Sequence, residues 1–144
     1  MLLMNVKLLN KIYLQLPFFG PLEIIFSFDA YPEYVKEILS GRKKYEYRKI
    51  KPKNSVDAMV IYSSAPVMKI VAEVEVEEII EGNTDEIWEK TKNGSGTNKK
   101  LYDEYFKNKN IAVAYKLGEV KVYETPKKLT EFGLNHAPQS YVYL

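Results

Sequence analysis

The chain has 144 residues, 46% hydrophobic and 28% charged, which suits one globular domain whose core needs no covalent staples. It has no cysteine and one histidine, which excludes a disulfide scaffold and a thiolate nucleophile and argues against zinc sites built on imidazole. A net charge of +2 is too small for a general nucleic-acid coat, so attraction to any anionic ligand has to be local.

Residues 1–21 are read as an N-terminal extension, either an added strand or a short helix. Their apolar run is broken by Lys7, Asn10, Lys11 and Gln15. It is therefore too interrupted for a membrane span of about 20 apolar residues. Nor does it resemble a secretory signal, because Leu16-Pro17-Phe18-Phe19 stands where small residues are needed. A soluble, cytoplasmic protein is expected.

Residues 22–28 are apolar and rich in β-formers, predicting a strand. Pro32 suits a first helical turn, Gly41 suits a left-handed end, and Tyr34, Val35, Ile38 and Leu39 recur at helical spacing between them. Residues 43–50 alternate charged and aromatic side chains as a strand does, and 51–55 read as a turn. Strands are predicted over 56–62 and 68–80. In the second, Val74 and Val76 face a core while Glu73, Glu75 and Glu77 face water. Asn83 followed by Glu86 marks a helix start, with Ile87 and Trp88 to bury. Asn93-Gly94-Ser95-Gly96 reads as a flexible break, and Leu101, Tyr102, Tyr105 and Phe106 mark a further helix. Strands over 111–117 and 120–123 flank Gly118, a turn or short helix covers 127–132, and 139–144 read as a closing strand. About six short strands without regular helical crossovers predict an α+β fold, a small mixed β-barrel with two or three helices packed on it.

Charge is unevenly spread. Arg42, Lys43, Lys44, Arg48, Lys49, Lys51 and Lys53 are opposed only by Glu46, whereas residues 73–89 carry acidic side chains alone. A basic strand interleaved with Tyr45 and Tyr47 offers phosphate attraction with aromatic stacking; the same run also reads as a solvated face. On a strand, Lys44, Glu46 and Arg48 share one face and Tyr45 and Tyr47 the other. Glu46 and Arg48 thus neighbour each other, as an oriented carboxylate or simply as a structural ion pair. Lys43 is out of phase and meets Glu46 only from a turn or a bulge.

The segment Gly41-Arg42-Lys43-Lys44-Tyr45-Glu46-Tyr47-Arg48 resembles the G-x-K-x-x-E-x-R motif of ASCH domains, members of the PUA-like β-barrel superfamily. The helix before it, the strand and turn over 60–67, Trp88, Tyr105-Phe106 and the closing 138–144 are similar to small prokaryotic members, so residues 22–144 are identified as one ASCH (PUA-like) domain. The resemblance implies a cleft beside the first helix that binds RNA or a nucleotide-like small molecule; no metal or other cofactor is expected. It implies ligand-binding roles for Gly41, Arg42, Lys43, Lys44, Glu46 and Arg48, with Tyr62, Ser63 and Ser64 on the opposite lip. The alternative it implies is a hydrolase of modified nucleosides or RNA, an amidohydrolase or ribonuclease, with Lys43 and Glu46 as the acid/base pair. A branch that hydrolyses acetylated cytidine has a threonine where this chain has Glu46. A carboxylate there works against the lysine acting as a base, so that branch is disfavoured.

His136, before Pro138, reads as a structural hydrogen-bonder ahead of an acid/base, and Gln139 and Ser140 as backbone caps. The acidic side chains of 73–89 spread along a strand and do not converge as calcium or magnesium would require.

Overall fold

The computed structural model describes residues 25–26, 32–53, 55–137 and 141–142; the predicted extension over 1–21, with Gln139 and Ser140, lies outside them. The chain runs through β1 (Ile25–Phe26), α1 (Pro32–Leu39), β2 (Tyr45–Arg48), β3 (Ala58–Ser63) and β4 (Lys69–Asn83). It continues through α2 (Thr84–Thr91), a 3-10 turn (Lys92–Gly94), α3 (Lys99–Tyr105), β5 (Ile111–Lys127), a second 3-10 turn (Leu129–Phe132) and β6 (Tyr141–Val142). No helix among the described residues is long and apolar enough to cross a membrane.

Four strands form one antiparallel sheet in the order β2-β5-β4-β3, while β1 and β6 ladder with each other. The fold is thus mixed α+β, as predicted. Register shifts at Ile70/Ala72, Val74/Val76 and Val76/Glu78 interrupt the β4–β5 ladder, and such bulges increase twist and curl a sheet into a half-barrel.

Side-chain alternation divides the interior. Val35 and Ile38 of α1 pack with Met59, Ile61, Val74, Val113 and Tyr115 on the inner face of the sheet. On the outer face, Tyr47, Ala112 and Ala114 lie under α2 and α3, which contribute Ile87, Trp88 and Tyr102, with Phe106 just past the end of α3. Further along that face Ala58, Val60, Tyr62, Ile70 and Tyr123 are covered by Leu129, Phe132, Leu134 and Ala137. β3 is therefore buried at every position. Each fully buried Ile or Met contributes about 1.5–3 kcal/mol.

Three expectations need correction. The two strands flanking Gly118 are one, β5, because β4 pairs with it on both sides of the bulge and absorbs the irregularity. Glu73 is not wet: it is fully buried, since residues 129–137 cover its face, and its Oε2 accepts from the Tyr123 hydroxyl at 3.0 Å. Residues 93–96 are no loose break, because Gly94 and Ser95 are buried against the chain that enters β2.

Candidate functional site

The site begins where α1 ends. Gly41 adopts φ +76° and its N–H bonds the Ile38 carbonyl at 3.0 Å, a left-handed stop that glycine tolerates best. The Lys43 N–H then reaches the Glu37 carbonyl at 2.9 Å, so residues 42–44 form a turn before β2 starts at Tyr45. This turn frees Lys43 from strand alternation and lets it approach Glu46.

Lys43 is only 6% exposed. Its Nζ donates to the Ser95 carbonyl at 2.7 Å, lies 3.6 Å from Glu46 Oε2 and stands 5.3 Å from the Tyr47 ring centroid. Arg48 Nε lies 3.6 Å from the other Glu46 oxygen, so this carboxylate sits between two cations. Both separations exceed good hydrogen-bond length, and the attraction there is ionic. Glu46 is 13% exposed, enough to meet a solute at the rim.

The wall behind Lys43 comes from the segment between α2 and α3. The Lys44 N–H bonds the Gly94 carbonyl at 2.7 Å, laying residues 94–97 along the start of β2. At Gly96, with φ +65°, a Cβ would lie 2.8 Å from Lys43 Cβ and Cγ, so a larger residue would push the lysine out. Ser95 is buried, and its Oγ donates to the Thr97 carbonyl at 3.0 Å, bracing the loop. Beneath lies Tyr47. Its hydroxyl donates at 2.7 Å to Thr91 Oγ1, which donates in turn to the Ile87 carbonyl. Burial pushes the Tyr47 phenol up to about 12, against hydrogen bonds to Thr91 and Ser95 that lower it. It stays neutral at ordinary pH and acts as a floor.

Other predicted residues lie elsewhere. Arg42 is exposed and makes a bidentate pair with Glu37 at 3.0 and 2.9 Å, bracing the end of α1 and holding the Glu37 carboxyl below its usual range. The Lys44 side chain is exposed while its backbone bonds Gly94 and Leu117. Tyr62 and Ser63 are buried in β3, at the other edge of the sheet from β2. Tyr62 and Ser64 line a different, open hollow of about 770 Å³, together with Lys69, Lys128, Asn135 and His136.

Two contributors were not singled out from sequence. Ser95 belongs to a segment read as a break, although Gly-Ser-Gly also permits close backbone approach. Tyr105 was read as a helix-packing residue and, with Phe106, as part of the family resemblance, yet it is 40% exposed, with Lys49 Nζ 4.6 Å from its ring centroid.

The ASCH domain family matches residues 29–121, well over half the chain. The chain belongs to the ASCH domain family. The crystal structure of ASCH from Zymomonas mobilis shares the fold, with a TM-score of 0.75 at 25% identity over 85% of this ASCH chain and 87% of that one. A protein named ASCH domain-containing ribonuclease, also from Zymomonas mobilis, is 28% identical over 88 residues, 60% of each chain. The large ribosomal subunit protein uL22 of Ureaplasma parvum is 31% identical over 102 residues, 71% of this chain but 33% of that protein. In both sequence relatives the match spans less than two thirds of the protein's length.

Proposed function

We propose that this ASCH domain binds RNA at the edge of β2, through Lys43, Glu46 and Arg48. The observation that carries the reading is a carboxylate held 3.6 Å from each of two cations, one of them almost wholly buried, at an otherwise basic strand. Holding an ammonium in that environment costs several kcal/mol before its partners compensate, and neither the core nor the sheet needs it there. Arg48 and the exposed Lys49 supply charge for phosphates, and Glu46, an acceptor only, meets a base amino group or a ribose hydroxyl. Lys43 donates to Ser95 and faces Glu46, which suits it to orient the carboxylate and to hold an anion.

The Zymomonas mobilis relative named as a ribonuclease favours a second reading, in which bound RNA is cut. Glu46 would take the proton of a ribose 2′-hydroxyl as its oxygen attacks the adjacent phosphorus. Lys43 would give a proton to the leaving 5′-oxygen as its bond to phosphorus breaks, and Arg48 would meet the charge developing on the phosphate oxygens. An amidohydrolase is less well supported, because the Ser95 carbonyl accepts from Lys43 and the Glu46 carboxylate favours its charged form.

Binding of a labelled oligoribonucleotide across a salt series tests the first reading. With about three phosphate contacts, log K should fall against log salt with a slope of roughly −2. Lys43→Met with Arg48→Met should abolish the complex. Binding indifferent both to salt and to that pair of changes would refute it. Gel analysis of the same RNA tests the second: cleavage should vanish in Glu46→Gln while binding remains, and cleavage that survives Lys43→Ala rules it out.

A further inference from the structure

α3 carries an aromatic residue that its own packing does not require. Tyr102 and Phe106 turn inward, 2% and 4% exposed, and complete the core under the helix. Tyr105 lies between them in sequence and points outward. Its ring stands edge-on to Phe106 at 4.8 Å and 82°, so a buried side chain props it in one orientation. The Lys49 ammonium covers it at 4.6 Å from the centroid. The ring also belongs to the neighbourhood of the motif. Burial makes its phenol a weaker acid, Arg48 opposes that shift and Glu46 adds to it, so both groups lie within electrostatic reach.

We propose that Tyr105 and Lys49 form a seat for one unpaired RNA base and its phosphate, beside the Lys43–Glu46–Arg48 cluster. This rests on the RNA-binding reading and adds where the base goes. A propped, partly exposed ring is a stacking surface that accepts any base, because every base has a π face. The cation now over the ring marks an accessible face. On binding, the base takes that face and the flexible lysine swings to the adjacent phosphate, so a cation–π contact is exchanged for stacking and an ion pair. The edge of the stacked base then points toward the Glu46 carboxylate, which only accepts. Stacking on a side chain requires a base that has left its own stack, so the ligand is a single-stranded segment rather than a duplex.

The test uses the full chain and a short single-stranded oligoribonucleotide carrying 2-aminopurine, whose fluorescence is quenched on stacking. The wild-type protein, Tyr105→Phe and Tyr105→Trp should quench it. Tyr105→Leu keeps apolar cover over Phe106, as a thermal melt verifies, and should bind roughly five- to a hundredfold more weakly without quenching. Should that variant fail to fold, Tyr105→Met provides the same comparison. An oligonucleotide lacking one base should bind wild type and Tyr105→Leu alike. Lys49→Gln should flatten the salt slope by about 0.7. Unaltered affinity and quenching in Tyr105→Leu, while Arg48→Met still loses binding, would overturn the seat and leave the RNA reading standing. No binding of any RNA by wild type would overturn both.

Discussion

Replacing Glu46 by Gln removes the anion that faces a buried ammonium and keeps nearly the same shape. At 3.6 Å, an effective dielectric constant of about 20 puts the Lys43–Glu46 attraction at roughly 4–5 kcal/mol, before desolvation is subtracted. After the change, Lys43 has the Ser95 carbonyl and a neutral amide. Leaving one member of a buried pair without its partner costs about 3–5 kcal/mol, and partial solvation of this rim should reduce that to about 2–4 kcal/mol. Lys43→Met should cost less, about 1–2 kcal/mol, because Glu46 keeps Arg48 at 3.6 Å and is the more exposed partner. The double variant Lys43→Met/Glu46→Gln strands neither charge, so its cost should fall short of the sum of the single costs by about 2 kcal/mol. Urea unfolding of the four proteins at neutral pH, with equal denaturant slopes, measures all of these values. Single-variant costs that simply add, within about 0.5 kcal/mol, would show that the two groups do not act on each other and would remove the basis for treating them as one site.

Other outcomes follow from single observations. The folded Tyr47 phenol titrates near 12 against an ordinary 10, so its contribution is fully present below pH 10 and lost as pH rises through 12. Stability should therefore decline by up to about 2 kcal/mol across that window, with a smaller decline in Tyr47→Phe, followed by urea unfolding at a series of pH values. Gly96→Ala places a methyl group 2.8 Å from Lys43 carbons at φ +65° and should cost about 2–4 kcal/mol and weaken RNA binding. Gly133→Ala, at φ +77° with nothing within 4 Å, should cost only about 1–2 kcal/mol and leave binding intact. Thermal melts and binding curves of the two variants separate crowding from backbone strain. Tyr123→Phe removes a donor from the buried Glu73 carboxylate and should cost about 1.5–3 kcal/mol by urea unfolding, with RNA affinity unchanged.

The features legible from sequence were those set by neighbours in the chain. Pro32 and Gly41 bound α1 because the first turn tolerates a missing N–H and the stop needs positive φ. Asn83 caps its helix through a side chain that reaches only two residues ahead. Glu46 and Arg48 meet because a strand repeats every two residues. Glu73 was misread because alternation tells which residues share a face but not whether a distant segment, here 129–137, covers it. Ser95 and Tyr105 were passed over for a related reason. One offers a backbone carbonyl, which composition cannot reveal, and the other sits among core aromatics of identical spacing.

Local stereochemistry therefore determined an α+β chain whose lysine, glutamate and arginine lie within one turn and one short strand. Only the tertiary structure decided that Lys43 is buried, that residues 94–97 form its wall and that the Lys49 ammonium lies over the Tyr105 ring. Those contacts join positions about fifty residues apart, and they depend on how α2 and α3 settle on the sheet. A backbone hydrogen bond between such distant segments leaves no periodic trace in the residues that make it.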